Sequence, residues 1–328
     1  MKKLVCILLA ALMCVSAVAF TACTPAEKVD DGKYVIGICQ LLPHPALDAA
    51  TQGFMDALKA ELGEENVEFL NENAGNDIPV CTTIVNNFVN KNVDLILANA
   101  TPALAAAVAG TDTIPILGTS ITEYGTALDI EDFNGVVGAN ISGTSDLAPL
   151  DEQAEMIVDL FPEADTVAML YCMGEANSKY QVQRVKEYLE AKGITVIDKA
   201  FTDSNDVAAV ATAAAAEADV IYIPTDNTAA GCSETIGSVI GDTPVIAGEE
   251  GICKGCGVAT LTIDYYDLGF ATGKMAAKIL KGKADISEMP IEYAPIFTKK
   301  YNKAICDQLG IDTAALEAKG YIAIVTEE

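Results

Sequence analysis

Histidine and arginine are almost missing from this chain of 328 residues: His44 is the only histidine and Arg184 the only arginine. A single histidine excludes zinc sites built from several imidazoles, and no serine–histidine–acid triad can be assembled around it from the sequence. A single arginine argues against a guanidinium clamp for a phosphate or a dicarboxylate. Basic residues are scarce overall. Lys and Arg number 20 against 47 Asp and Glu, a formal charge of −27. That balance excludes the basic patches that nucleic acids and anionic lipid surfaces require. Long apolar runs are scarce too. Only Leu4 to Phe20 forms one, and it falls short of the ~20 residues of a good spanning helix. No metal-ligand cluster stands out, and nothing calls for a cofactor. A paired-carboxylate hydrolase stays open on these grounds; otherwise the sequence points away from an enzyme.

What is present starts with an address. Met1-Lys2-Lys3 is a basic opening, Leu4 to Phe20 an apolar core, and Thr21-Ala22-Cys23 a small-residue cleavage site. This has the form of a bacterial secretory signal. It resembles the lipoprotein type, in which Cys23 carries the lipid, with ordinary cleavage nearby or a retained anchor as alternatives. Residues 1–23 are read as the signal and 24–33 as a flexible tether. The expected location is extracytoplasmic, with the domain held to the cell membrane by acyl chains. Seven cysteines come after the signal. Cys253-Lys254-Gly255-Cys256 is a lone CxxC, half a metal site at most. The glycines around it suggest a loop holding a local disulfide or free thiols.

The remaining chain alternates strand and helix. Apolar β-forming runs fall at Tyr34 to Cys39, Val67 to Asn71, Asp94 to Ala98, Ile114 to Leu117 and, more weakly, Gly135 to Ala139. Helical spacing separates them: Leu47, Thr51, Phe54 and Leu58 share one face, and Ile78, Thr82, Val85 and Val89 another. The pattern then restarts at Thr166 to Tyr171, Ile194 to Asp198, Asp219 to Ile223 and Pro244 to Ala247. Val67 matches Ile194 and Asp94 matches Asp219 at nearly constant offset, which an internal duplication explains. The fold class predicted is α/β, with two doubly wound parallel-sheet lobes and a hinge. Lobe 1 is expected over 34–141 plus about 262–290, lobe 2 over 142–261 plus about 291–328. Asn140-Ile141-Ser142-Gly143-Thr144-Ser145-Asp146, small and polar, reads as the hinge.

Two stretches share one grammar. Asp219 to Ile223 is a buried strand ending in the polar corner Thr225-Asp226-Asn227; Asp94 to Ala98 is another, ending at Asn99-Ala100-Thr101-Pro102. Such strand-end corners line ligand crevices in open α/β sheets. We expect these two to face each other across a cleft.

In order along the chain, His44-Pro45-Ala46-Leu47-Asp48, Ala100-Thr101-Pro102-Ala103, Asn140 to Asp146, Tyr171 with Glu175-Ala176-Asn177-Ser178, Thr225-Asp226-Asn227 and Ile263-Asp264-Tyr265 resemble the ABC-transporter substrate-binding lipoproteins of the tryptophan/tyrosine-binding type. The likeness runs from about Tyr34 to Gly310. It departs in the loop from Gly118 to Asp132, where Ile121-Thr122-Glu123-Tyr124 replaces the usual Asp-Pro. The resemblance implies a periplasmic-binding-protein-like type I fold that closes on a small ligand and delivers it to an ABC permease and ATPase, acting as a monomer. Family ligands include aromatic amino acids; a nucleoside or other small solute, and a ligand-sensing role, are the alternatives. A zwitterion needs an anion site and a cation site. The helix start at Thr101, Pro102 and Ala103 offers amide hydrogens to a carboxylate, and Ser145 adds a hydroxyl. Asp226, with Glu175 or Asp264, is the expected partner of an ammonium. Asn140 and Asn227 would satisfy remaining hydrogen bonds, with Thr122 and His44 at the rim. Tyr124, Tyr171 and Tyr265 are candidate walls for an aromatic side chain.

Overall fold

The computed structural model describes residues 32–325. The signal segment, Cys23 and most of the tether lie outside them. In chain order the elements are β1 (Tyr34–Gln40), α1 (Pro45–Leu62), β2 (Val67–Asn73), α2 (Ile78–Asn90), β3 (Leu95–Asn99), α3 (Thr101–Gly110), β4 (Ile116–Ile121), α4 (Tyr124–Ala127) and β5 (Ile141–Ser145). Next come α5 (Leu150–Leu160), β6 (Thr166–Cys172), α6 (Ala176–Ala191), β7 (Thr195–Phe201), α7 (Val207–Glu217), β8 (Val220–Ile223), α8 (Asn227–Gly231), α9 (Ser233–Val239), β9 (Val245–Ala247) and α10 (Glu250–Cys256). The chain closes with β10 (Ala259–Thr262), α11 (Tyr265–Leu280), β11 (Glu292–Tyr293), β12 (Thr298–Tyr301), α12 (Lys303–Leu309), α13 (Thr313–Ala318) and β13 (Ile322–Ala323).

Two sheets result. The first has the order β11-β5-β4-β3-β1-β2, the second β13-β12-β10-β9-β8-β6-β7. All pairings are parallel except β10 with β12. Within each half the first five strands run in the doubly wound order, second-first-third-fourth-fifth. Such a sheet reverses direction between its first and third strands, and ligands gather outside that point. The central strands are covered on both faces, as their unbroken apolar runs require: every residue of β3 and of β8 is buried. In the first lobe α11 crosses α1 at very short range. A Cβ added at Gly269 would stand 1.9 Å from the Ala50 carbonyl oxygen, so glycine there sets the depth of the crossing.

The lobe boundary falls later than expected. Ile141–Ser145 is a strand of the first sheet, in register Ile116↔Ile141, Leu117↔Ser142 and Gly118↔Gly143. Its small residues reflect packing. Gly143 has φ +146°, and a Cβ there would meet the Gly118 oxygen at 2.1 Å and the Tyr124 hydroxyl at 2.4 Å. Glu292 and Tyr293 pair with Thr144 and Ser145, so they too join the first sheet. The chain passes between sheets after Ser145, after Thr262 and after Tyr293. Gly135 to Ala139 forms only isolated bridges, Val136 to Pro290 and Gly138 to Ile141. The CxxC stretch is helical, not a loop, because the Glu249 carboxylate accepts the Gly251 and Ile252 amides and starts α10. Cys253 and Cys256 are buried free thiols there.

Candidate functional site

A narrow cavity of about 10 Å³, no more than one water molecule needs, lies between the carboxyl ends of the two sheets. His44, Leu47, Ser120, Thr122, Asp146 and Tyr265 line it from the first lobe; Asn177, Thr225, Asp226, Asn227, Ala230 and Glu249 line it from the second. Each polar residue comes after a strand or ends one. His44 lies beyond β1, Ser120 is the next-to-last residue of β4 and Asp146 comes just after β5; Asn177 comes after β6, Asp226 after β8 and Glu249 after β9. The lobes also touch directly, the Asn76 Nδ2 donating to the Thr228 Oγ1 at 3.2 Å.

Both oxygens of each second-lobe acid already accept hydrogen bonds from their own lobe. Asp226 caps α8, accepting the Ala229 amide at 2.8 Å through Oδ1, while Oδ2 accepts the Cys172 amide and the Ser178 hydroxyl, each at 2.7 Å. Glu175 accepts the Thr228 amide and hydroxyl on Oε1, both at 2.8 Å. Its Oε2 takes the Asn227 amide at 3.0 Å and side chain at 2.7 Å, and the Asn177 Nδ2 at 3.1 Å. Glu249 is held by the two amides that open α10. Helix starts supply amide hydrogens and a positive dipole end, so each of these carboxylates is compensated where it stands. Burial still raises the Asp226 carboxyl, with Glu175 beside it adding to the shift, and burial pushes Glu249 up to about 7 against its two amides.

Asp146 differs. It is 4% exposed. Its Oδ2 accepts from the Tyr265 hydroxyl at 3.1 Å, but its Oδ1 has no partner. Burial lifts its pKa to about 6, with Thr122 and Tyr265 pulling the other way. Three neighbours share its condition. Among the described residues six buried side chains carry a polar atom without a partner, and four of them line this cavity: Asp146, His44, Ser120 and Asn177. His44 opens α1 without capping it and leaves both ring nitrogens unpaired. Burial lowers its pKa, against upward pulls from Asn227, Asp48 and Glu175, so the ring is neutral near pH 7. Ser120 stands at φ 56°, a left-handed conformation uncommon for serine. Orphaned buried polar groups are costly, about 1–3 kcal/mol each, and four of them converge on this one cavity.

Of the residues the sequence put forward, His44, Thr122, Asp226 and Asn227 line the cavity. Glu175 stands behind Asn177 and Asn227 and holds both. Ser145 donates to the Thr122 carbonyl at 2.8 Å, bracing that corner rather than lining it. Thr101, Pro102 and Ala103 are buried at the start of α3, outside the lining. Asn140 lies at the opposite end of β5, its amide tied to the Thr111 and Ile114 carbonyls. Asp264 caps α11 through the Asp267 amide at 3.0 Å and borders a separate outer groove with Pro45 and Tyr266. Of the tyrosines only Tyr265 lines the cavity. Tyr124 is core, its hydroxyl given to the Thr144 carbonyl, and Tyr171 packs against the second lobe's core. Sequence reasoning missed Ser120, Asp146, Asn177 and Glu249 as site residues. The strand-end rule points to Glu249, which comes after the apolar strand β9 just as Asp226 comes after β8; β5, ahead of Asp146, is built of small polar residues and gives no such signal.

Residues 35–316 match the family model described as ABC transporter substrate binding protein. The chain is 33% identical over 307 residues to a tyrosine-binding protein of Clostridioides difficile (strain R20291), covering 88% of this chain and 87% of that one. Among solved structures it resembles an ABC domain in complex with L-Trp from Streptococcus pneumonia, at 31% identity and a TM-score of 0.84, over 89% of this chain and 100% of that one. It also resembles a ligand-free, open substrate-binding protein with adhesive properties from Clostridium difficile, at 35% identity and a TM-score of 0.69, over 90% of this chain and 100% of that one.

Proposed function

Because the chain belongs to the family of ABC transporter substrate-binding proteins, we propose that its cavity captures a free amino acid, with an aromatic side chain favoured, and that it delivers this ligand to an ABC permease and ATPase. The family is one of extracytoplasmic solute-binding proteins rather than of enzymes. No helix among the described residues is long and apolar enough to cross a membrane. A lipid on Cys23 would supply the membrane attachment, on the strength of the signal sequence that ends there.

The observation that carries the ligand class is the set of unpartnered groups on the first lobe. A neutral imidazole has one N–H and a serine one O–H to donate, so His44 and Ser120 can bind a carboxylate without any arginine. Asp146 has one oxygen unspent and no cationic side chain among the lining residues, so it can bind an ammonium. Two donors and one anionic acceptor make the complement of an amino-acid head group. This moves the ammonium from Asp226, the partner expected from sequence, to Asp146, because the Asp226 oxygens are already occupied. The comparisons support the ligand class through a relative that binds tyrosine and another solved with L-Trp. They also support closure around it: the chain superposes better on the complex than on the open structure, although the open protein is the more similar in sequence. A ligand with contacts on both lobes selects the closed arrangement.

The test is thermal unfolding against a panel of amino acids, nucleosides and sugars. A ligand at 100 times its Kd adds about 2.7 kcal/mol of stability. The expected result is a shift with one or more amino acids. A shift with a nucleoside or sugar and none with any amino acid would overturn the ligand class.

A further inference from the structure

Seven cysteines follow the signal segment, and what their thiols touch sorts them. Cys172, Cys253, Cys256 and Cys306 each donate to a backbone carbonyl, those of Thr202, Gly257, Ile252 and Val258. The CxxC thiols thus turn to different acceptors. Cys39 and Cys81 instead meet each other. Cys39 lies in β1 and Cys81 in the first turn of α2, both fully buried in one core. The backbone alone sets these elements face to face. The turn that starts α2 hangs on the end of β1: the Ala74 amide donates to the Gln40 carbonyl at 2.9 Å and the Asn76 amide to the Leu41 carbonyl at 2.8 Å. Two residues back along β1, a Cβ added at Gly37 would stand 2.6 Å from the Phe88 ring. Residues 37 and 39 share one face of the strand, and residues 81, 84, 85 and 88 one face of the helix. Because α2 runs back against β1, the contact of Phe88 with Gly37 brings Cys81 onto Cys39. The two thiols are hydrogen-bonded to each other, and that bond is the largest influence on both, raising the Cys39 pKa and lowering that of Cys81.

We propose that Cys39 and Cys81 form a disulfide in the mature protein, a covalent tie between β1 and α2. The proposal rests on the family's extracytoplasmic placement, the setting in which disulfides form and persist. The oxidant is a disulfide, R–S–S–R, carried by a thiol oxidase or by a small-molecule thiol. One cysteine thiolate attacks it, and one thiolate of the oxidant leaves, taking up the proton that the cysteine gave. The second cysteine thiolate then attacks the mixed disulfide, closes the Cys39–Cys81 bond and expels the other thiolate, which is protonated in the same way. Two cysteine thiols are oxidised and one disulfide is reduced to two thiols, with no net change in protons. Both cysteines are fully buried in the folded chain, so the exchange belongs to folding, before α2 covers β1. The loop so closed contains the turn from which the Asn76 side chain reaches Thr228 on the other lobe. A tie across a loop of that length restricts the unfolded chain and stabilises the first lobe.

The experiment is mass spectrometry on the full protein isolated from its host. Cells are quenched in acid, free thiols are alkylated in denaturant without reductant, and the digest is searched for linked peptides. The expected result is one linked pair, Cys39 with Cys81, lighter by two hydrogens than its separate peptides, with Cys172, Cys253, Cys256 and Cys306 alkylated. Protein reduced in denaturant and refolded with dithiothreitol should melt about 3 °C or more below the unreduced protein. Cys81→Ala should show no such difference. The mass measurement needs no variant, so it decides even where Cys81→Ala fails to fold. Alkylation of both Cys39 and Cys81, or a link from either to another cysteine, overturns the proposal, as does a melting point that reduction leaves unchanged. Each of these outcomes leaves the amino-acid reading intact, because that reading is tested by the ligand panel alone.

Discussion

The two lobes meet the cavity with the same residue types and use them in opposite ways. On the second lobe Glu175, Asp226 and Glu249 each start or brace a helix, and their oxygens are filled by amides and hydroxyls of their own lobe. On the first lobe Asp146 keeps one oxygen bare. The difference lies in the segment immediately C-terminal to each acid. A helix begins directly after Asp226 and after Glu249, and its first amides need acceptors. After Asp146 comes Leu147-Ala148-Pro149, and the next helix waits until Leu150. No bunched amides lie there to absorb the charge. A carboxylate can thus serve as wall or as anchor, and the onset of a helix decides which.

Substitutions separate the two uses. The largest effect is expected at Glu175. Glu175→Ala removes the acceptor of two backbone amides and three side-chain groups, and should cost about 3 kcal/mol or more in denaturant unfolding. A loss under about 1 kcal/mol would show that Glu175 is no wall. Asp146→Asn should do the reverse. Relieved of a buried, uncompensated charge, the folded state should keep its stability or gain some, while amino-acid binding falls by about 2 kcal/mol or more, roughly thirtyfold, in calorimetry.

Acidity sharpens the same contrast. Asp146 at about 6 and Glu249 at about 7 hold protons more firmly in the folded chain than unfolded carboxylates do, near 4. Between about pH 4 and pH 7 the unfolded state therefore binds fewer protons, so ligand-free stability falls as the pH rises through that window. Ligand affinity runs the other way, because an ammonium needs Asp146 ionised, and should weaken as the pH drops below about 6. Melting and titration series from pH 5 to about 8 check both signs; parallel slopes would contradict the assignment. The smallest effect concerns the corner after β3. Ala100 stands at φ 92° and ψ 154°, a region left to glycine, whereas Thr225 at the matching corner is absent from the residues with positive φ. Ala100→Gly should gain about 1 kcal/mol in thermal unfolding.

Much of the architecture was legible because burial on both faces leaves continuous apolar runs, as in Leu95–Asn99 and Val220–Ile223. The same cue failed at Ile141–Ser145. There a strand is built from small polar residues because its neighbour comes so close, and small polar residues look like a hinge. The CxxC helix was hidden by its glycines, which are poor helix formers, while Glu249, the cap that overrides them, lies just upstream. Of the candidate site, the corner after β8 was legible from the strand-end rule, whereas the corner after β3, expected to face it, lies outside the lining, and His44 came from the resemblance. Asp226 and Asp146 both come after strands in the structure, although in the sequence Asp146 reads as the end of a hinge. Which of them is spent depends on hydrogen bonds to Cys172 and Ser178, remote in the chain, and no local pattern reports those.

The central claim is that Asp146, and not Asp226, receives the ligand's ammonium. A crystal structure of the protein with its amino acid bound tests this most directly. The account predicts the ammonium nitrogen at about 2.7–3.2 Å from the Asp146 Oδ1, with the Asp226 bonds to Ala229, Cys172 and Ser178 intact. An ammonium seated on Asp226, with those bonds broken and the Asp146 Oδ1 still alone, would contradict it.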